Sequence, residues 1–222
     1  MKNKLLCYGL FWLCLFCMWG CITQDLSKGN ACLALGDYPL AIRFFTQGIE
    51  KDPLNYQARL GLGKALIQKS IAEFDSLAFA YALIQLEAAR NLRPSANLDS
   101  LLGGAYLERA RTQLHQGDTG SALRAAVHSL DYNPKEIATL NLAGIIYAKL
   151  GELDKAKILF QKILVFDSGS ASAHFNLGLI AWQGSEIYQA HEHWLLALKA
   201  LPQDEDILYW FAQSEKRIRE NP

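Results

Sequence analysis

The sequence predicts an all-α fold, an α-solenoid of about five helical hairpins followed by a C-terminal capping helix. Two series of small residues predict it, and both recur with periods of 34 to 41 residues. A fixed period of this size is typical of stacked hairpins that are each too small to bury their apolar face alone. The first series consists of Ala41, Ala82, Ala122, Ala156 and Ala190. The second consists of Gly29, Gly63, Gly104, Gly144 and Gly178.

The segment 137–168 shows the hairpin pattern most clearly. Gly144 lies on a helical face with apolar neighbours at i, i+3, i+4 and i+7 spacing, and Gly151 then interrupts the helix. A second helix is predicted to begin near Asp154. Small side chains at Gly144 and Ala156 let the two helices approach closely. The two apolar stripes are Leu140, Ala143, Gly144 and Tyr147, then Ala156, Phe160 and Ile163.

This order of residues resembles the tetratricopeptide repeat, whose signature is a hydrophobic residue, Gly and Tyr in one helix, then Ala, Phe, Ala and Pro. Five registers of the pattern cover essentially all of the chain after residue 21. The resemblance implies a right-handed solenoid whose first helices line a concave inner face. The expected repeats are 22–55, 56–96, 97–136, 137–170 and 171–203, and the capping helix is expected at 204–219. Ile207, Leu208 and Phe211 are expected to cover the last hairpin.

Two repeats are longer than the others. The interval from glycine to alanine is twelve residues in three repeats, but nineteen from Gly63 to Ala82 and eighteen from Gly104 to Ala122. The added residues, including 66–72 and 106–115, read as continuing helix, so we expect tall hairpins that form a ledge. The alternative is that the added turns pack only on each other. Expected N-caps are Asp75 or Ser76 in the first long repeat and Asp118 in the second.

Residues 1–20 have the pattern of an export signal, and residues 21–222 are predicted to form the solenoid. A short basic start precedes an uncharged run over residues 5–19. That run is shorter than the roughly 20 residues that a transmembrane helix requires.

The Gly20-Cys21 pair resembles the cleavage box of bacterial lipoproteins, in which the cysteine becomes the lipidated, palmitate-bearing first residue. The alternative is an uncleaved N-terminal membrane anchor. Both interpretations predict a chain in the cell envelope, outside the cytoplasm. The reason is that the basic residues before the apolar run, Lys2 and Lys4, stay on the cytoplasmic side of the membrane. Ile22 after the cysteine favours, by the same resemblance, the outer membrane and the periplasm.

Composition and charge exclude some functions. The 22 basic and 22 acidic residues give zero net charge, and no basic stripe for nucleic acid is present. Of the five cysteines, only Cys32 lies within the repeats, so no internal disulfide is expected. We expect Cys32 to be buried, because it aligns with Tyr147.

The inner-face positions lie three before, one after and four after each glycine. In the C-terminal half they are apolar and aromatic, which favours a partner-binding groove for an apolar or aromatic protein segment. The alternative is that these side chains fill a tightly turning solenoid. No repeat has the lysine and asparagine pair with which some family members bind a carboxylate. The candidate groove residues are Asn141, Ile145, Phe175, Asn176, Leu179, Trp182, Gln183 and Tyr209.

The best candidates for chemistry are the three histidines His174, His191 and His193, with Glu192 between the last two. His191 and His193 are two residues apart on a helix, whereas metal pairs prefer a spacing of three or four. Packing explains all three, and we predict no catalytic residue, metal or cofactor. The alternative is a membrane-anchored enzyme or metal-binding protein that uses these histidines.

The sequence therefore predicts a non-catalytic scaffold lipoprotein of the cell envelope that binds other proteins. The resemblance extends to lipoproteins that assist pilus, outer-membrane or cell-wall assembly. A purely structural spacer is the third possibility.

Overall fold

The computed structural model describes residues 22–73 and 76–220. Within those ranges every regular element is an α-helix, and the predicted fold class, helical hairpins of the α-solenoid type, is confirmed. The export signal, Cys21 and Asp75 lie outside the described residues. The helices are α1 (22–34), α2 (Tyr38–Lys51), α3 (Tyr56–Glu73), α4 (Ser76–Leu92), α5 (Ala96–His115), α6 (Thr119–Tyr132), α7 (Ile137–Lys149), α8 (Leu153–Phe166), α9 (Ala171–Gln183), α10 (Ile187–Ala200) and α11 (Glu205–Glu220).

The helices fall into two compact units. The first ends at Ala105 and the second begins at Tyr106, so the boundary lies within α5. Each unit has its own core and is described by itself. Among the residues with assigned structure, no helix is long and apolar enough to cross a membrane.

In the first unit, α1 to α4 pack in chain order. Phe45 of α2 is fully buried against Gly29 of α1 and Gly61 of α3, and side chains at these glycines would collide with its ring. Lys51 and Asp25 form an ion pair of 2.5 Å between α2 and α1. One large aromatic ring packed against two glycines thus joins α1, α2 and α3.

The second unit contains the hairpins α7–α8 and α9–α10, with α11 packed on α10. Phe160 of α8 is fully buried against Gly144 of α7, as the sequence pattern predicts. Trp194 of α10 takes the equivalent place against Gly178 of α9. The same small-residue rule therefore operates in both hairpins, with a larger ring in the second.

Four turns within hairpins, all in the described parts of the chain, share one geometry. Gly36, Gly117 and Gly151 have φ values of +78°, +83° and +77°. The fifth repeat has Ser185 at the corresponding position, with φ of 62°. In each turn the following amide donates back into the helix, for example Glu186 N to Ala181 O at 2.9 Å. This bond is typical of a Schellman motif, which favours glycine at the positive-φ position.

The long repeats have long helices. α3, α4 and α5 contain 18, 17 and 20 residues, whereas α6 to α10 contain 13 or 14. In the third repeat the extra residues lengthen only α5. Asp118 caps α6 as predicted, because its side chain accepts from Ser121 N at 2.9 Å. Hydrogen bonding to Ser121 lowers the pKa of Asp118.

Two packing predictions are wrong. Cys32 is only partly buried, because its position lies in the last turn of α1, and the equivalent Tyr147 is likewise partly exposed. In α11, Ile207 is buried as expected, but Leu208 is 44% exposed. Phe211 packs on the last hairpin as expected, and the preceding residue, Trp210, packs there as well although the sequence did not predict it.

Candidate functional site

The apolar face of α9 carries three of the predicted groove residues. Phe175, Leu179 and Trp182 follow each other at four- and three-residue spacing, so they share one face of the helix. All three are partly buried and pack on the core around Trp194. The helix contains no Asp, Glu, Lys or Arg. The face is therefore apolar but still accessible.

Four aromatic rings cluster at the end of this face. Trp182 lies 5.7 Å from Trp194 and 5.9 Å from Trp210, measured between ring centroids. Trp194 and Trp210 lie 5.6 Å apart, and Tyr209 meets Trp210 edge-on at 5.5 Å. Edge-to-face and tilted pairs at these separations are the favoured arrangements of aromatic rings. The structure thus connects the predicted Trp182 and Tyr209 through Trp210, which sequence reasoning missed.

Trp194 is the buried member of this cluster and supports the other rings from the protein interior. It is fully buried, and its Nε1 donates a hydrogen bond of 3.2 Å to the carbonyl oxygen of Phe175. The indole is fixed to the α9 backbone, directly under the exposed face. Phe175, Leu179, Trp182, Tyr209 and Trp210 together are called the α9 surface below.

The two polar side chains predicted beside this face differ in how many of their hydrogen-bonding groups are available to a ligand. Asn176 is partly exposed, and its Nδ2 already donates to the carbonyl oxygen of Ser172 at 2.8 Å. Gln183, the last residue of α9, is exposed. Asn176 therefore offers its oxygen to a ligand, and Gln183 offers its whole amide group.

The two residues predicted on α7 are placed differently. Ile145 is partly buried and packs on the core around Phe160. Asn141 is also partly buried, and its Oδ1 is inaccessible and has no hydrogen-bond partner among the described residues. An amide flip would only exchange the buried oxygen for the nitrogen. One end of the Asn141 amide therefore faces the protein interior and not a ligand.

The three histidines do not meet at one point. His174 is buried, and its Nδ1 lies 3.2 Å from Nδ1 of His193. His191 is engaged elsewhere, with Nδ1 at 3.0 Å from Ser214 Oγ and its ring stacked on Phe211 at 4.6 Å. No group of three or more His, Cys, Asp or Glu side chains could hold a metal ion in the described part of the chain.

The protonation of the pair follows from its contacts. His174 Nε2 lies 3.1 Å from the carbonyl oxygen of Ser168, which can only accept, so Nε2 carries the proton. In neutral His174 the Nδ1 is then an acceptor, and His193 Nδ1 must donate to it. Burial, and secondly the proximity of His174, lowers the pKa of His193. This network positions α9 against α10, which is a packing role.

Comparison with known proteins identifies the class. The profile of the tetratricopeptide repeat family matches residues 26–74 and 107–171, together just over half of the chain. The chain therefore belongs to the tetratricopeptide repeat family. No curated protein matches the sequence.

Solved structures share the fold at low identity. A tetratricopeptide repeat protein from Parabacteroides merdae aligns with a TM-score of 0.57 and 19% identity, over 91% of this chain and 75% of that one. YrrB, described as having an unusual peptide-binding site, aligns with a TM-score of 0.56 and 19% identity, over 83% and 89% of the two chains. The first tetratricopeptide repeat domain of Spaghetti, bound to the HSP90 peptide SRMEEVD, aligns with a TM-score of 0.52 and 12% identity. The alignment covers 54% of this chain and 98% of that one.

Proposed function

We propose that this protein is a non-catalytic adaptor that binds partner proteins through the α9 surface and holds them at a membrane of the cell envelope. The observation that carries the proposal is the fixed, accessible aromatic cluster of Trp182, Tyr209 and Trp210. Family membership and the peptide-bound state of a fold neighbour support a protein-binding role.

The cluster has the properties of a binding hot spot. Hot spots are large aromatic side chains in ordered surroundings, with polar groups at the rim. Trp182 contacts both Trp194 and Trp210, so its ring loses little conformational freedom when a partner covers it. Tyr209 remains 57% exposed and is available at the edge.

The composition of the surface indicates the kind of partner. Phe175 and Leu179 offer apolar contact along about one turn of α9, and the helix contributes no side-chain carboxylate or ammonium group. Asn176 and Gln183 provide hydrogen-bonding groups for the backbone of an extended segment. The occupant is therefore a segment of a partner protein with apolar or aromatic side chains.

Attachment to the membrane is the second part of the proposal. The lipoprotein-like Gly20-Cys21 pair supports an acylated Cys21, at the outer membrane and facing the periplasm. Several acyl chains bind tightly, because each buried CH₂ contributes about 0.8 kcal/mol. Mass measurement of the mature N-terminus tests this directly: an acylated Cys21 is expected, and an intact Met1 would support the uncleaved anchor. Assembly of a pilus, of the outer membrane or of the cell wall remains the proposed setting.

The binding role is tested by paired variants of the full chain. Phe175→Ala combined with Trp182→Ala removes the aromatic side chains but keeps the Phe175 carbonyl that accepts from Trp194. Tyr188→Ala is the matched control, because Tyr188 is an aromatic residue of α10 that is 63% exposed.

The expected result is loss of partner proteins in affinity purification with the double variant and retention with the control. Helicity by circular dichroism should be unchanged in both. Equal recovery with both variants would remove the α9 surface as the binding site and leave the structural spacer as the better interpretation.

A further inference from the structure

The turn between α2 and α3 presents a leucine to solvent. Leu54 is 72% exposed, and the preceding Pro53 is exposed as well. A lone exposed leucine is common on protein surfaces, but only the first of the five turns between repeats has one at this position. The corresponding residues in the four later turns are Ser95, Lys135, Gly169 and Gln203.

Hydrogen bonds fix the conformation of this turn. The side chain of Asp52 accepts from Leu54 N at 3.1 Å and from Asn55 Nδ2 at 3.3 Å. Asn55 Oδ1 accepts from Ala58 N at 3.0 Å, in the first turn of α3. Leu54 therefore lies in an ordered turn, and little backbone freedom is lost when another surface covers it.

The same edge of the first unit carries the beginning of α1. Asp25, in the first turn of α1, forms an ion pair of 2.5 Å with Lys51, the last residue of α2. Leu54 follows Lys51 by three residues. Ile22 is the first residue of α1, and Cys21 precedes it directly in the sequence. No linker therefore separates the proposed attachment point at Cys21 from the edge that carries Leu54.

This attachment, and not exposure, distinguishes the edge from the opposite one. Leu35, in the turn between α1 and α2, is 85% exposed, which is more than Leu54. The two ends of α1, which spans residues 22–34, are about 20 Å apart. The headgroup layer on each side of a bilayer is only about 5–8 Å thick, so a membrane that meets the first turn of α1 end-on does not reach Leu35.

The charges around these turns balance. The cations are Lys51, Arg59 and Arg93, and the acidic residues are Asp25, Glu50 and Asp52. Arg90 and Asp99, farther from the turns, pair with each other. Contact with a membrane at this edge therefore depends on the apolar side chain and does not require anionic lipids.

We propose that this edge of the first unit is a membrane-contact surface, with Leu54 inserted among the lipid headgroups of the bilayer that holds Cys21. The helices α1 to α4 then stand upright on the membrane, with Leu35 at the far end. One leucine binds a membrane too weakly by itself, but a tether beside it provides an effective concentration of the order of millimolar. The inference rests on the proposed membrane attachment, whether through acylated Cys21 or an uncleaved anchor, and not on the α9 surface.

The test is lipid cross-linking of the full chain, purified from its membrane and reconstituted in phosphatidylcholine vesicles. A diazirine-bearing residue replaces Leu54 or, as the matched control, Leu35. After irradiation, mass spectrometry measures how much of the photoreacted residue carries a phospholipid and how much carries water. Flotation of the vesicles measures attachment in the same samples, and circular dichroism measures helicity.

We expect phospholipid adducts at position 54 and their loss at position 35, where water adducts should replace them. Equal phospholipid adducts at the two positions, or more at 35, would overturn the proposal, because the unit would then lie on its side or inverted. Water adducts alone at position 54, on protein that floats with the vesicles, would overturn it as well.

Failure of this surface is distinguishable from failure of the attachment on which it depends. Protein that does not float with the vesicles would refute the attachment itself, whatever adducts form. The vesicles contain no partner protein, so neither result depends on binding through the α9 surface.

Discussion

Gly178 of α9 lies directly against the indole of Trp194 of α10. A Cβ atom added to Gly178 would fall 2.7 Å from both Cδ1 and Cε2 of that ring. Real Cβ atoms essentially never approach so closely, and Trp194 is fully buried, so the ring or the two helices would have to shift. This contact sets the separation of α9 and α10, and with it the position of the aromatic cluster.

The first prediction is that Gly178→Ala destabilises the protein. Forcing a methyl group into a packed core costs about 1–3 kcal/mol, which exceeds the gain of up to about 1 kcal/mol from replacing a helical glycine. Gly104→Ala is the control, because a Cβ there meets nothing within 4 Å. Urea unfolding should show a loss for Gly178→Ala and a gain for Gly104→Ala. A gain for both would show that the Trp194 contact is not tight.

The second prediction concerns the turn between α9 and α10. Ser185 has the positive φ that glycine provides at Gly151, and the left-handed conformation costs a residue with a side chain roughly 1–2 kcal/mol. Replacing Ser185 by glycine removes this cost, but part of the gain is offset because glycine has more conformational freedom in the unfolded chain. Ser185→Gly should therefore raise the free energy of unfolding by about 0.5–1 kcal/mol, and Gly151→Ser should lower it by a similar amount. Thermal unfolding of both variants measures this, and the same sign of effect in both would contradict it.

The third prediction follows from the His174–His193 contact. Burial lowers the pKa of His193 in the folded protein, whereas an unfolded histidine titrates near 6.5. As the pH falls through the unfolded value, the unfolded state binds more protons, so the free energy of unfolding decreases. The decrease ends once the pH passes below the lowered folded pKa.

The measurement is urea unfolding at pH 7.5 and 5.5, a range in which histidines dominate the titration. His193→Gln should reduce the difference in unfolding free energy between the two pH values. An unaltered pH difference in His193→Gln would show that this ring is not held neutral by its surroundings.

The fourth prediction concerns the buried oxygen of Asn141. An inaccessible polar atom without a partner costs about 1–3 kcal/mol, so the similarly sized Asn141→Leu should raise the free energy of unfolding by about 1 kcal/mol. Asn176→Leu is the control, because the Asn176 amide already donates a hydrogen bond to the Ser172 carbonyl oxygen. Its removal should therefore not raise the free energy of unfolding. If Asn141→Leu instead abolishes partner binding at unchanged stability, the amide contacts the ligand as the sequence analysis first suggested.

The helical hairpins of this fold could be predicted because each one depends on residues that lie close together in the sequence. In the first, fourth and fifth repeats a glycine of the first helix is followed sixteen residues later by a large aromatic residue of the second helix, and the contacts of Phe45, Phe160 and Trp194 follow from that spacing. The lengths of α3 and α5 were predictable for a similar reason: the added residues contain no turn signal. Asp118 could be predicted as the N-cap of α6 because the hydrogen bond involves only its own side chain and the amide of Ser121 in the first turn.

The candidate site was predicted in part. Phe175, Leu179 and Trp182 were found from the spacing around Gly178, but Trp210 lies in a capping helix that has no glycine to fix its register. The His174–His193 contact joins two helices, so spacing along one helix could not reveal it. The burial of the Asn141 oxygen likewise depends on the surrounding packing and not on its position in the repeat.

The most direct test of the adaptor role is site-specific photo-cross-linking in intact cells. A photoreactive residue replaces Leu179, at the centre of the α9 surface, or Ile158 of α8, which is 62% exposed and lies outside it. We expect a discrete protein adduct at position 179 that is absent at position 158 and is lost when Trp182 is also replaced by Ala. Adducts of the same pattern and yield at both positions, or none at 179, would contradict binding through this surface.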